Sequence, residues 1–195
     1  MNQKGKIKVL VVDDSFFMKR LLRELLESDG SIEVVGEARN GAEAVGQALE
    51  LKPDVITMDY NMPLMNGAEA TKEILLNAKD RLPAIIMVSA YTKEGADETL
   101  DCLRVGAVDY VAKPSGELSL DIDKVREEMF HKIHLAAKAV VVRRPEGRPS
   151  LKKKRKKGKT DNKKIVVIGA STGGPPIVED IIVALPKNWD IPTIV

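Results

Sequence analysis

The sequence predicts an open α/β fold, in which a parallel sheet is covered by helices on both faces. Over the first 115 or so residues, five short apolar runs alternate with amphipathic stretches. The runs are continuously apolar, which is typical of parallel strands buried on both faces. The sequence also has no repeat at a fixed period of roughly 20 to 50 residues, which argues against a solenoid.

The predicted elements alternate along the chain. Strands are expected at residues 7–12, 32–38, 55–58, 84–88 and 107–111. Helical spacing of apolar residues predicts helices at residues 16–27, at 41–51, in a segment ending at Asn77, and at 94–105. A last helix is expected from residue 120 to about residue 142. Five strands separated by helices are the pattern of a parallel α/β sheet.

The charges of the chain are segregated. The 195 residues carry a net charge of +2, but residues 143–164 alone hold twelve Lys or Arg and two Asp or Glu. Like charges at this density keep a chain extended, so we interpret the segment as a solvated linker. A nucleic-acid or acidic-membrane contact is the alternative, but no aromatic residues are interleaved with the run KKKRKKGK.

Composition excludes several classes of protein. A single cysteine, Cys102, leaves no internal disulfide framework and no cysteine-built metal site, and we expect it to be a small buried residue on a helix. A reactive thiol is the alternative. The sequence shows neither a membrane span nor a signal peptide, so the expected setting is cytoplasmic, with no membrane insertion.

Polar side chains stand where the predicted strands end. Asp13 and Asp14 follow the first strand, Asp59 the third, Ser89 the fourth and Lys113 the fifth. Ligands of open parallel sheets bind at this edge, and carboxylates gathered there need a cation. An all-oxygen set suits Mg²⁺, beside which a carboxylate can accept a phosphoryl group. Taken alone, Asp14 would instead be the cap of the following helix.

Four separated motifs support that interpretation. The segments VVDDS (11–15), DYNMPLMNG (59–67), MVSA (87–90) and YVAKPSG (110–116) resemble the receiver domains of two-component response regulators. The resemblance covers residues 5 to about 130 and implies a flavodoxin-like fold with strand order 2-1-3-4-5. It further implies that Asp59 accepts the phosphoryl group. Asp14, Asp59 and the backbone carbonyl of Asn61 would bind Mg²⁺ directly, with Asp13 acting through water.

The same resemblance assigns the residues that respond to phosphorylation. Ser89 and Lys113 would contact the phosphoryl group, and Tyr110 would be the aromatic side chain that turns inward on activation. It also implies a cis peptide between Lys113 and Pro114, which is the type of peptide bond that adopts cis at least cost.

A second motif follows the linker. Gly169-Ala170-Ser171-Thr172-Gly173-Gly174 lies between a predicted strand at 164–168 and a predicted helix at 177–185. A serine on such a turn is exposed beside backbone N–H groups that can stabilise an oxyanion. A tight turn capped by Ser171 is the alternative. A dinucleotide fingerprint fits poorly, and a P-loop would need a lysine after Gly174.

The wider segment GASTGGPPIVEDIIVALPKNWDIPTIV is similar to the start of the catalytic domain of chemotaxis methylesterases. These response regulators hydrolyse glutamate methyl esters and deamidate glutamines on chemoreceptors. The similarity implies that Ser171 is the nucleophile, that a chemotaxis histidine kinase is the phosphodonor and that a methylated chemoreceptor is the substrate. It also implies an intramolecular contact between receiver and catalytic domain, and no nucleic-acid partner.

The domains are therefore expected at residues 5–130 for the receiver, 131–163 for the helix end and basic linker, and 164–195 for an amino-terminal fragment of the catalytic domain. A serine nucleophile needs a general base, but the sequence holds only His131 and His134, which we expect on a solvated helix face. The family's catalytic His and Asp would lie beyond Val195, so we expect no esterase activity from these 195 residues. The competing hypothesis is a non-enzymatic receiver that acts as a binding module.

Overall fold

The computed structural model describes residues 5–79, 81–89, 101–113, 119–139, 141, 165–169, 175–186 and 188–194. Within these ranges the chain divides into two compact units, Met1–Arg144 and Pro145–Val195. In the first unit the strands are β1 (Ile7–Val12), β2 (Ile32–Ala38), β3 (Val55–Met58), β4 (Ala84–Ser89) and β5 (Asp109–Ala112). Its helices are α1 (Phe16–Glu27), α2 (Gly41–Leu51), α3 (Gly67–Asn77), α4, described over residues 101–105, and α5 (Ser119–Ala136).

The five strands form one parallel sheet in the order β2-β1-β3-β4-β5, which confirms the predicted fold class and strand order. In register, Val12 of β1 pairs with Ala38 of β2 and with Met58 of β3. Ser89 of β4 pairs with Ala112 of β5. All carboxyl ends therefore meet at one edge, and the strand order reverses next to β1, where such folds bind their ligands.

The sheet is buried on both faces, and its inner strands β3 and β4 are buried at every position. Alternate residues of β1 belong to different clusters: Val9 and Val11 pack on one face, and Leu10 and Val12 on the other. The first face is covered by α1 and α5, and the second by α2, α3 and α4. Cys102 is fully buried in the second cluster, as expected for a structural cysteine on a helix.

Side chains in the preceding loops begin the first three helices. The Ser15 hydroxyl accepts a hydrogen bond from the Met18 amide, and Asn40 caps α2 in the same way. Asn66 and Glu69 form a reciprocal capping box at α3. Ser15, and not Asp14, is thus the cap of α1, so the capping role considered for Asp14 is wrong. The Asp14 carboxylate remains available to the pocket beside it.

Most predicted elements occur at the expected residues, with differences at their ends. Strand β5 begins two residues later than predicted, and β4 includes Ser89. Helix α5 ends at Ala136 rather than near residue 142. There the N–H groups of Lys138 and Ala139 bond to carbonyls three residues earlier, which tightens and closes the helix. Of the predicted helix at 94–105, only residues 101–105 are among those described.

The second unit contains β6 (Val166–Val167), α6 (Pro175–Ala184) and β7 (Thr193–Ile194). Strands β6 and β7 are parallel, with Val166 opposite Thr193. Strand β6 is thus shorter than the strand predicted at 164–168, and α6 begins two residues before the helix predicted at 177–185. Within the described residues, no helix is both long enough and apolar enough to cross a membrane.

Candidate functional site

Three aspartates meet at the carboxyl edge of the sheet, as predicted. Asp13 follows β1, and its amide donates to the Ala38 carbonyl of β2. Asp59 follows β3, and its amide donates to the Val12 carbonyl of β1. These bonds extend the sheet by one residue and fix both backbones. The side chains of Asp13, Asp14 and Asp59 each offer an oxygen within 4.8 Å of the others.

The three carboxylates differ in exposure. Asp13 and Asp59 are buried, at 0% and 4% exposure, whereas Asp14 is exposed. The cluster therefore has two acidic groups at its base and one at its mouth. All the ligand atoms are hard oxygens, and the exposed Asp14 leaves a side open to solvent for ion entry and bound water. This donor set fits Mg²⁺, which takes one or two carboxylates and keeps several waters.

Lys113 lies between the two buried carboxylates. Its Nζ is 2.9 Å from Asp13 Oδ2 and 2.9 Å from Asp59 Oδ2, and its backbone amide donates to the Ser89 carbonyl. The bond to Ser89 extends the β4–β5 pairing past the end of β5. The loop that begins there thus delivers one cation to two carboxylates that would otherwise repel each other.

Both members of the Lys113–Asp59 pair have shifted pKa values. Burial raises the pKa of Asp59, and this outweighs the opposing effect of Lys113. Burial acts to lower the pKa of Lys113, but its hydrogen bonds to Asp13 and Asp59 outweigh burial and raise that pKa. The lysine is therefore firmly charged at neutral pH. The ionised Asp59 is less well compensated, so a further cation at the cluster would be favoured.

The other predicted receiver residues differ in how far they are exposed to solvent. Ser89 is buried at the last position of β4, and Asn61 is exposed in the loop two residues after Asp59. Tyr110 on β5 is 44% exposed, so its side chain points outward in this structure. Lys132 Nζ lies 4.8 Å from the centre of its ring and donates to its backbone carbonyl. Ser171 lies outside the described residues.

Pro114 also lies outside the described residues, so the predicted cis peptide stays a prediction. His131 and His134 are both on α5, but His134 is not simply solvated as we expected. Its Nε2 is 2.8 Å from Asp29 Oδ2 and 3.4 Å from the Ser31 hydroxyl. Because the same ring nitrogen contacts both partners, this is a structural link and not a catalytic triad, which uses opposite ring nitrogens.

Two residues at the site were not singled out from the sequence. Gly67, the first residue of α3, approaches the acceptor loop so closely that a Cβ would overlap the Asp59 carbonyl oxygen. Lys19 on α1 is buried, and its Nζ donates to the Asp13 carbonyl at 2.8 Å. The sequence could have indicated both residues. Gly67 is the last residue of the motif DYNMPLMNG, and Lys19 is a charged residue on the apolar face of a predicted helix.

The fold and the acidic pocket together define a receiver. The model of the response regulator receiver domain family matches residues 9–122, more than half of the chain, and the chain belongs to this family. Among solved structures, the response regulator domain of Thermotoga maritima CheB is 48% identical, with a TM-score of 0.61. That similarity covers 69% of this chain and 98% of the CheB domain.

The curated relatives name one kind of response regulator. A protein-glutamate methylesterase/protein-glutamine glutaminase of Carboxydothermus hydrogenoformans is 52% identical over 144 residues, covering 74% of this chain and 40% of that protein. The Thermotoga maritima protein of the same name is 46% identical over 189 residues, covering 97% of this chain and 54% of its own length. The chain thus spans about half or less of these two relatives.

One further structure bears on the metal. The receiver domain of sensor histidine kinase PA1611 from Pseudomonas aeruginosa was solved with a magnesium ion coordinated in its active-site cleft. It is 27% identical to this chain, with a TM-score of 0.56. The match covers 69% of this chain and 100% of the PA1611 domain. The family resemblance stated from the sequence is confirmed by these comparisons, which do not test the roles of individual residues.

Proposed function

We propose that this chain is the regulatory part of a cytoplasmic chemotaxis methylesterase, in which a histidine kinase phosphorylates Asp59 of the receiver. The observation that carries the proposal is the cluster of Asp13, Asp14 and Asp59, with ligand oxygens within 4.8 Å of one another and Lys113 bridging the two buried members. No esterase or DNA-binding feature in the described residues competes with this site.

Each residue of the pocket has a proposed part in phosphoryl transfer. An Asp59 carboxylate oxygen attacks phosphorus, forming the new O–P bond as the bond to the donor breaks. Asp14, Asp59 and the Asn61 carbonyl would hold Mg²⁺, with Asp13 acting through water. When bound, the metal neutralises charge on the transferring group. Lys113, whose Nζ is 2.9 Å from Asp59 Oδ2, is close enough to form an ion pair with the new phosphoryl oxygens.

Ser89 and Tyr110 would then carry the signal away from the pocket. The Ser89 hydroxyl donates to a phosphoryl oxygen, and Tyr110 moves from its outward position into the space that Ser89 vacates. In the complete protein, the receiver would pack against the catalytic domain until this change weakens the contact. An activation of about 20-fold needs only about 1.8 kcal/mol of differential stability, which is within the usual range of coupling energies.

The activity controlled by this switch would be hydrolysis of glutamate methyl esters, and deamidation of glutamines, on a chemoreceptor. Ser171 is the proposed nucleophile. Within these 195 residues the only histidines are His131 and His134, which both lie on α5 of the receiver, and His134 is engaged by Asp29. We expect the 195-residue chain alone to release no methanol from methylated receptor. No nucleic acid or membrane insertion is needed for this function.

The phosphorylation step is tested by intact-mass spectrometry with acetyl phosphate and Mg²⁺. We expect a labile phosphoryl adduct on the wild-type chain and none on Asp59→Asn, whereas Asp54→Asn, an aspartate at the opposite edge of the sheet, should keep it. An adduct that persists in Asp59→Asn would contradict the assignment of the acceptor.

A binding module without enzymatic output is the second candidate, favoured because the sheet and the acidic cluster of a receiver are both present in this chain. Methanol release from methylated receptor, measured with the full-length protein, separates the two candidates. Release that depends on Ser171 and rises with phosphorylation supports the methylesterase. No release from a folded full-length protein, with the phosphoryl adduct intact, supports the binding module.

A further inference from the structure

Helix α1 carries a lysine where its packing against the sheet calls for an apolar residue. The buried stripe of this helix consists of Lys19, Leu22, Leu25 and Leu26, at the spacing of a core-facing surface. Lys19 is only 8% exposed and is the only lysine or arginine in the buried class among the described residues. A buried ammonium group is costly unless it is hydrogen-bonded, so the partner of Lys19 is informative.

That partner is the backbone carbonyl of Asp13, at 2.8 Å from the lysine Nζ. Strand β1 ends at Val12, and the last bond to the neighbouring strand is made by the Asp13 amide. The Asp13 carbonyl has therefore left the sheet and needs a donor from elsewhere. Lys19 reaches back along its own helix, as helical side chains do, and supplies that donor.

The bonded carbonyl belongs to the peptide that joins Asp13 to Asp14. A peptide is planar, so holding its oxygen also fixes the direction in which the Asp14 Cα leaves it. On the other side of Asp14, the Ser15 amide donates to Asp13 Oδ1 at 2.9 Å. The turn is thus held before and after Asp14 by two bonds, and both involve Asp13.

Asp14 has no other means of support in the described part of the chain. Its carboxylate is exposed, and no hydrogen bond or ion pair to it is present among the described residues. Asp13 and Asp59, in contrast, are buried and paired with Lys113. The direction of the Asp14 side chain toward the pocket therefore depends on the backbone that Lys19 holds.

We infer that Lys19 is a positioning residue of the magnesium site, which holds the Asp13–Asp14 peptide so that the Asp14 carboxylate faces the pocket. This inference rests on the proposed function, since it concerns the metal site of the same receiver. For the affinity of the site for a cation, it predicts the opposite of what the charge of Lys19 alone would predict. Removal of a nearby positive charge should strengthen the binding of a cation, whereas loss of a positioning contact should weaken it.

The experiment is a titration of the 195-residue chain with MgCl₂, followed by ¹H–¹⁵N NMR spectra, which report metal affinity and folding together. We expect Lys19→Met to weaken Mg²⁺ binding about tenfold, as is typical when a group that orients a metal ligand is removed. Lys19→Arg, which retains a charged donor, should stay within about threefold of wild type. Arg20→Met, which removes an exposed cation from the same helix, is the matched control and should bind Mg²⁺ at least as tightly as wild type.

The outcomes separate the inference from the proposed function. If Lys19→Met binds Mg²⁺ as tightly as wild type, or more tightly, the positioning role is overturned while the metal site stands. If Arg20→Met loses as much affinity, the effect belongs to the helix and the inference is also overturned. Absence of Mg²⁺ binding by the wild-type chain would overturn both. If Lys19→Met does not fold, Lys19→Leu, a shorter side chain with no hydrogen-bond donor, must show the same tenfold loss.

Discussion

Replacement of Lys113 by methionine tests the electrostatic balance of the pocket. The Lys113 side chain is 22% exposed, while those of Asp13 and Asp59 are 0% and 6% exposed. Removal of one partner from a buried ion pair costs about 3 to 5 kcal/mol. Since the lysine keeps some contact with water, and one carboxyl group can take up a proton, we expect the free energy of unfolding to fall by about 2 to 4 kcal/mol.

Magnesium should compensate for the missing lysine. An ion bound only by the folded state stabilises it according to its concentration and affinity, and Lys113→Met leaves two carboxylates free to bind it. At about 20 mM Mg²⁺ we expect the stability difference from wild type to narrow by about 1 kcal/mol or more. The difference should also shrink at acidic pH. Loss of Lys113 removes an effect that lowers the pKa of Asp59, so protonation should favour the folded state more in the variant than in wild type, and this gain is lost as pH rises.

Urea unfolding followed by far-ultraviolet circular dichroism, in EDTA and in Mg²⁺, provides the measurement. Fluorescence is unsuitable because the one tryptophan, Trp189, belongs to the second unit. Arg20→Met removes one cation from an exposed pair with Glu24 and should cost less than about 1 kcal/mol. If Lys113→Met costs no more than this control, or if Mg²⁺ leaves the difference unchanged, Lys113 is not the counter-ion of the pocket.

Three further predictions concern stability and accessibility. The pKa of Asp29 is lowered to about 2, chiefly by the hydrogen bond from the Ser31 hydroxyl. The contribution of Asp29 to the free energy of unfolding is therefore complete above pH ~4 and is lost toward pH ~2. In urea unfolding, Asp29→Asn should reduce the loss of stability at acidic pH by about 1 kcal/mol. Gly67→Ala should lower stability by about 3 kcal/mol, whereas Gly46→Ala, in open space within α2, should raise it by about 0.5 kcal/mol in the same assay. The Cys102 thiol should react with a disulfide reagent only as fast as the receiver unfolds.

Each of these predictions has a result that would contradict it. Equal acid sensitivity in wild type and Asp29→Asn would mean that the contacts of Asp29 with Ser31 and His134 do not lower its pKa in solution. A Gly67→Ala protein as stable as Gly46→Ala would show that the acceptor loop can move away from α3. Rapid labelling of Cys102 in the folded protein would support the reactive thiol instead of the buried structural residue.

The sheet and the acidic cluster were predictable because they depend on strong local signals. The apolar runs of β1 and β3 are long enough to fix the strands, and each is followed directly by its aspartate. Parallel pairing then brings Asp13 and Asp59 to one edge without any further information. The double pairing of Lys113 was not predictable, since it depends on how the loop after β5 turns back over the pocket.

The contacts that the sequence did not reveal join residues on different elements. The link between His134 and Asp29 joins α5 to the loop after α1, across 105 residues. Nothing in the local pattern around His134 distinguishes this contact from solvation. The end of α5 was also displaced from its predicted residue, because the closing hydrogen bonds at a helix end depend on backbone geometry more than on side-chain pattern.

The links of α5 also determine where its chain leaves the receiver. Its carboxyl end is tied to the edge of the sheet opposite the pocket, by His134 to Asp29 and by the Ala137 carbonyl to Arg81, which also pairs with Asp54. Eighteen helical residues, about 27 Å, run between that end and the phosphoryl edge. These contacts thus hold in place the carboxyl end of α5, which is the end far from Asp59. A change at Asp59 should therefore be transmitted through the exposed surface around Tyr110 on β5, and not by movement of the anchored end of α5.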